Sequence, residues 1–372
     1  MHHFIFPTKT AWISSGSNKV TGVTEQDQNF GQDEILELKK FYYNNSFDYQ
    51  TRVLIDFTGP DFTKMSQSIH NNDITSPKFY LRLYEAQGNQ ELSSEYKLAT
   101  YPLSESWVEG VGKFEDIPKV TNGVSWINRS NPVGGAATAW VNTVSGEEVS
   151  YISASAYVTS QSFSNESPDV EMDITRTVDS WLNGTNANYG LLLRFSGSQE
   201  TDSTTFGNLK FFSRHTNTIY APKLEVRWDD HTAATGDNTG SLNELTMSGA
   251  ANNYLYPKNL KDSYKEGERV KFRVGARLNY VQKTFSSSLQ TQTGSYITEG
   301  SGSYAIKDIA TDEYIVPFSA HTTMSCDSTS PYFNQWLDGF YPDRIYKVLF
   351  KIKYDDNQEE IFDNGFEFKV KR

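Results

Sequence analysis

The chain has 372 residues, 34 Lys and Arg against 46 Asp and Glu for a net charge of −12, and 14% aromatic side chains led by 22 Tyr and 23 Phe. No apolar stretch is long enough for a membrane-spanning helix. No basic run marks a nucleic-acid interface, although a patch assembled only by folding leaves no such trace. The single cysteine, Cys326, excludes an internal disulfide and a cysteine-rich zinc site.

The length predicts two or three domains. The start, Met1 to Lys9, lacks a positive segment and a long apolar core, so it does not read as a signal peptide, and synthesis and folding in the cytoplasm are expected. In the first block, residues 1–230, strands are predicted at Thr10–Ser14, from Ile35, at Thr51–Phe57, Pro77–Tyr84 and Lys97–Leu103, and at Ser150–Ser160 after loops rich in Ser, Asn, Gly and Pro over 104–150. The next stretch organises the block. Thr175 or Asp173 can cap a short helix whose apolar face is Val178, Trp181 and Leu182, and Asn183-Gly184 suits its end. Gly190 then opens a nearly all-apolar run, Leu191–Phe195, which reads as a strand buried on both faces. Val178, Trp181 and Leu182 are the expected structural core, with Trp181 filling a gap between sheets. Strands at Leu209–Arg214 and Pro222–Trp228 complete the block.

Residues 231–241 are polar and read as a linker. The second block, 242–372, again alternates, with strands predicted at Leu242–Ser248, Arg269–Val274, Tyr304–Asp308, Ile315–Phe318 and Arg344–Tyr354 and turns at Asp355-Asp356-Asn357 and Asp363-Asn364-Gly365. The Ser/Thr/Gln-rich 281–304 reads as a long loop or exposed hairpin. The fold class is therefore all-β: an N-terminal jelly-roll β-sandwich with one short helix, followed by a smaller immunoglobulin-like β-sandwich.

Chemistry-bearing patterns are sparse. The six histidines, at 2, 3, 70, 215, 231 and 321, show no metal-ligand spacing, and no nucleophile elbow or phosphate-binding glycine loop occurs. Asp229, Asp230 and His231 could meet a cation or simply begin the linker. Asx-rich loops of β-sandwiches can hold calcium, and Asp27, Asp33 and Glu34 around the Asn29-Phe30-Gly31 turn are the candidate ligands; no other cofactor is expected. Trp107, Trp126 and Trp140 fall in the loop-rich region, where they could contact a glycan or pack beneath the loops.

The first block resembles the DNRLRE-type β-sandwich domain, related to a family of carbohydrate-binding modules. The matching pieces are Asn29-Phe30-Gly31, Arg52–Phe57, Phe79–Tyr84, Glu105–Gly110, Val124–Trp126, Asp173–Gly184, Tyr189–Leu193, Phe211–Arg214 and Pro222–Val226. The resemblance implies a jelly roll and glycan contact and carries no catalytic residue set. The second block resembles β-domains of tailed-phage virion proteins over Tyr332–Lys347.

These readings together predict a non-enzymatic structural protein of a tailed-phage virion, in the tail, neck or baseplate. It would act through contacts with other virion proteins and as a homo-oligomer, with no nucleic-acid or membrane partner. A carbohydrate-binding adhesion module in contact with a surface glycan is the alternative, and a polysaccharide hydrolase or lyase accessory protein the third reading.

Overall fold

The computed structural model describes residues 1–17, 22–43, 46–87, 95–141, 148–164, 169–204, 207–248, 252–280, 285 and 293–372, with backbone alone for 41–43 and 46–49. Of the expected 281–304 loop, 281–284 and 286–292 lie outside the described residues, and the described remainder includes the short strand Ser295–Tyr296 and the start of the strand Gly302–Asp308. The fold is an all-β sandwich in which the chain forms two compact units. The N-terminal unit comprises Ile5–Asp73 and Lys78–Val226; the C-terminal unit comprises Met1–Phe4, Ile74–Pro77 and Arg227–Arg372.

The larger sheet of the N-terminal unit runs in the order Thr159–Ser164, Glu95–Pro102, Leu191–Phe195, Ser46–Asp56, Ile35–Tyr43, Gly207–Phe212, Glu85–Gln87, and Lys9–Ser14 also pairs with Ser46–Asp56. Leu191–Phe195 is central. It pairs antiparallel on one side with Ser46–Asp56, Leu191 opposite Ile55, and on the other with Glu95–Pro102, Leu191 opposite Pro102. All five of its residues are buried, as a nearly all-apolar run requires, with Arg194 the one charged residue among them. Gly190 opens this strand at φ +90°, and a Cβ there would lie 2.3 Å from the Ile55 carbonyl oxygen. A second sheet holds Lys223–Arg227, Lys78–Leu83 and Val170–Asp173 in that order. Phe79, Leu81 and Leu83 alternate into the core.

The unit has two α-helices, α1 (Pro60–His70) and α2 (Thr175–Leu182), which corrects the expectation of one. Helix α1 starts with proline in its first turn and Asp61 at its positive end, but Met65 is its one buried residue, so its sequence carries little apolar periodicity. Helix α2 follows the predicted spacing. Asp173 Oδ1 accepts from the Thr175 amide at 2.9 Å, while Thr175 Oγ1 accepts from the Phe79 amide at 2.9 Å, tying the helix start to the second sheet. Val178 is fully buried, Trp181 is 8% exposed and Leu182 is half-buried. Trp181 meets Phe62 of α1 edge-on at 6.3 Å, so a helix–helix contact accompanies its burial.

The C-terminal unit is a two-sheet sandwich. One sheet has the order Asn243–Glu244, Ser295–Tyr296, Arg269–Leu278, Pro331–Trp336, Ser325–Cys326, and Asn253–Pro257 also pairs with Arg269–Leu278. The other has Ser263–Lys265, Glu359–Lys371, Ile345–Lys353, Gly302–Asp308, Tyr314–Val316. Aromatic rings fill the space between them, with Tyr304 stacked on Phe333 at 3.8 Å and Phe333 on Phe272 at 5.0 Å. Asp363-Asn364-Gly365 is not a turn between strands. It bulges within Glu359–Lys371, whose register on Ile345–Lys353 jumps from Phe350–Phe362 to Val348–Phe366, with Gly365 at φ +68°. The segment read as a linker is fastened to this unit: the Thr232 amide donates to Ser325 Oγ at 3.0 Å, the Cys326 amide to the Thr232 carbonyl at 3.1 Å, and Ala234 to Glu299 at 2.9 Å.

Candidate functional site

In the N-terminal unit the loop-rich region lies against one face of the larger sheet. Ala11, Ile13, Leu54, Ala99, Tyr101 and Leu192 from the strands form one core cluster with Trp107, Val124, Trp126, Trp140, Val149 and Tyr151 from the loops. Trp107, Trp126 and Trp140, read as glycan contacts or as packing beneath the loops, are 3%, 7% and 6% exposed. Trp107 Nε1 donates to the Tyr189 carbonyl at 3.0 Å, Trp140 Nε1 to the Ser125 carbonyl at 3.1 Å, and the Arg52 guanidinium covers Trp126 at 4.7 Å. A ring this buried offers no face to a sugar, so of the two alternatives these residues take the packing one, as the floor of the loop layer, and not glycan contact.

One residue pins that layer. Asn29 is fully buried, and its Nδ2 donates to the carbonyls of Glu109 (2.7 Å) and Val124 (2.8 Å). Its Oδ1 accepts from the amides of Gly31 (3.2 Å) and Gly112 (2.8 Å), so each hydrogen-bonding position of the side-chain amide is used. Gly31 must be glycine because a Cβ would lie 2.0 Å from the Glu109 carbonyl oxygen. The Glu109 side chain holds the layer from its other side, accepting from the Thr10 amide at 2.9 Å and pairing with Arg214 at 3.3 Å and His215 at 3.1 Å.

Beside this hub lies a cleft of about 320 Å³ lined by Trp12, Asp33, Glu34, Ile35, Glu37, Lys113, Phe114 and Glu115. Trp12 stacks on Phe30 at 3.9 Å, and Phe114, 40% exposed, leans on both. Asp33 accepts from Trp12 Nε1 at 2.8 Å and from the Phe114 amide at 3.0 Å; burial nevertheless raises its pKa. The Lys39 amine pairs with Glu37 and lies 5.5 Å from the Trp12 ring and 5.3 Å from the Phe114 ring, and burial lowers its pKa to about 8.

The candidate calcium ligands do not form a metal cluster. Asp27 pairs with Lys119 at 2.5 Å, Asp33 is held by Trp12 and Phe114, and Glu34 is exposed. Among the described residues no three His, Cys, Asp or Glu side chains are placed to hold a metal ion. Around the other candidate cation position, Asp229 Oδ1 accepts from the His231 amide and His231 Nε2 meets Glu299 at 2.5 Å, while Asp230 faces the Met1 amine at 3.5 Å.

Sequence reasoning missed two further features. Arg52, Glu200 and Arg194 form a buried ionic cluster from two adjacent strands and the 3₁₀ turn Gly197–Glu200. Arg52 Nε lies 2.7 Å from Glu200, Arg194 pairs with the same carboxylate, and Tyr151 accepts from Arg194 at 2.8 Å. Lys40, on the next strand, pairs with Asp202 just past that turn at 3.0 Å. The second feature is the exterior of the loop layer. Among the described residues, the exposed large hydrophobics of this unit are Val23 and seven residues between 108 and 141: Val108, Val111, Phe114, Ile117, Ile127, Val133 and Val141.

No family model matches the chain, and no curated protein matches it. Among solved structures it is similar to a β-glucuronidase from Parabacteroides merdae at 9% identity and a TM-score of 0.16, covering 79% of this chain and 28% of that one. The chain thus spans under a third of that enzyme's length, and at this score the likeness carries no argument.

Proposed function

We propose that the protein is a non-enzymatic structural protein that works through protein–protein contacts, with the exterior of the loop layer of the N-terminal unit as its docking face. At finer grain it is a component of a tailed-phage virion and contacts other virion proteins. The observation that carries the reading is the gathering of exposed Val, Ile and Phe side chains on a layer fixed from beneath by Asn29 and three buried tryptophans. Rigid backbone under exposed apolar side chains lowers the ordering cost of association. Aliphatic rather than aromatic side chains dominate the layer, which suits a protein partner better than a sugar ring.

Light scattering on the recombinant protein, with mass spectrometry of purified particles, tests this. Wild type is expected to assemble or to be present in particles, and the double variant Ile117→Asp/Val133→Asp to lose that property with an unchanged circular dichroism spectrum. A wild-type monomer missing from particles refutes the reading. The cleft beside Phe114 favours a second reading, contact with a surface glycan, because one exposed ring lies there among carboxylates and ammonium groups. Glycan-array binding lost in Phe114→Ala would support it, and an array with no signal would remove it.

A further inference from the structure

The C-terminal unit carries a second surface of different chemistry. Strand Arg269–Leu278 alternates strictly at its start: Val270, Phe272 and Val274 point into the core, and Arg269, Lys271, Arg273 and, past Gly275, Arg277 lie on the outer face. Alternate residues on one face are about 6.7 Å apart, so the four cations form a row of about 27 Å. Each rests on an aromatic ring from a neighbouring strand. Arg269 lies over Trp336 at 5.8 Å, Lys271 over Tyr332 at 3.5 Å and Arg273 over Tyr332 at 5.9 Å. Arg277 lies over Tyr254 at 5.2 Å and Tyr256 at 6.0 Å. The register explains the pairing, because Arg269 is opposite Trp336, Arg273 opposite Tyr332, and Arg277 opposite Tyr254. Gly275 keeps the row flat: Tyr256 lies across it, and a Cβ would come within 2.3 Å of that ring. Asp327 lies 2.9 Å from both Lys271 and Arg273, and Asp230 accepts from Asn334, the residue opposite Lys271, at 3.2 Å.

We infer that this face binds single-stranded nucleic acid, with the cation row tracking the phosphates and the rings and guanidinium planes receiving the bases. A groove of cations interleaved with aromatic rings is the arrangement that holds single strands without reading their sequence. A guanidinium stacked on a ring leaves its other face open to a flat base. A plain anionic patch partner needs the charges but not the rings. The overall charge of −12 does not oppose this, because salt screens charges beyond about 10 Å while the row acts at short range. This surface is independent of the loop layer, and the inference does not rest on the assembly reading.

The test is fluorescence anisotropy of a fluorescein-labelled (dT)20 oligonucleotide titrated with the full chain. Wild type is expected to bind at 50 mM salt, and Arg269→Ala/Lys271→Ala/Arg277→Ala to bind at least tenfold more weakly. The slope of log K against log salt should become shallower by about 2, near 0.7 for each phosphate that no longer meets a cation. Arg273 is kept so that Asp327 retains a partner. Should the triple variant unfold, Lys271→Gln/Arg277→Gln gives the same comparison with less disturbance. Tyr332→Leu should also weaken binding by about tenfold, which a purely electrostatic interaction would not. Wild type that fails to bind, or binds as tightly as the triple variant, overturns the inference. So does equal affinity for polygalacturonate and the oligonucleotide, an outcome that would assign the face to anionic glycans. Unchanged oligonucleotide binding by Ile117→Asp/Val133→Asp is expected, which separates this surface from the assembly face.

Discussion

Asn29 joins three lengths of chain through one buried amide, and its replacement cannot be absorbed by water. Asn29→Ala leaves the Gly31 and Gly112 amides and the Glu109 and Val124 carbonyls short of partners. A loss of about 3 kcal/mol in urea unfolding is expected, since leaving buried groups unpaired costs more than the net worth of the bonds. Lys39 gives a second prediction. Its folded-state pKa of about 8 lies below the ordinary 10.5, so between these values the unfolded chain holds a proton that the folded chain has released. Stability should therefore rise with pH across about 8 to 10.5, and Lys39→Met should remove that rise. Melting temperatures of both proteins at pH 7.5 and 10 check it; parallel behaviour would refute the cause. Cys326 is buried and its thiol is pushed up to about 11, so labelling at pH 8 should require unfolding.

At the scale of elements, the turn Gly197–Glu200 is tied to two strands by charge. Removing the carboxylate with Glu200→Gln leaves Arg52 and Arg194 buried without it, and a loss of about 3–5 kcal/mol is expected. Arg52→Met in the same chain should recover part of that loss, measured as a double-mutant cycle. Helix α2 and the central strand were legible because one apolar face and one run apolar but for Arg194 leave only one arrangement each: Val178 and Trp181 inward, Leu191–Phe195 covered on both sides. Helix α1 was not, because Met65 is its one buried residue and leaves no apolar periodicity to read. Trp107, Trp126 and Trp140 were placed correctly in loops, but a sequence does not tell what a loop covers, and here it covers the face of a sheet. The cation row escaped for a related reason. A search for basic runs passes over Arg269, Lys271 and Arg273, whose intervening residues are apolar; only the strand period of two brings them together.

At the scale of the whole molecule, the two units are not consecutive halves of the sequence. Met1–Phe4 belongs to the C-terminal unit, where Phe4 is buried in the aromatic core and its carbonyl oxygen lies where a Cβ of Gly339 would be, at 2.7 Å. A fragment of residues 227–372 lacks that side chain and should bind a hydrophobic dye and melt below the full chain's corresponding transition. Phe4→Ala in the full chain should cost about 3–5 kcal/mol in that transition.

The central position of Leu191–Phe195 also sets an order on biosynthesis. Ser46–Asp56 and Glu95–Pro102 leave the ribosome long before the strand that must lie between them. Until residue 195 has emerged, their unpaired backbone edges have no native neighbour on that side, and premature pairing with each other would exclude the proper occupant. A nascent chain halted just short of it should therefore engage cellular chaperones, and release from them should follow within one further length of strand.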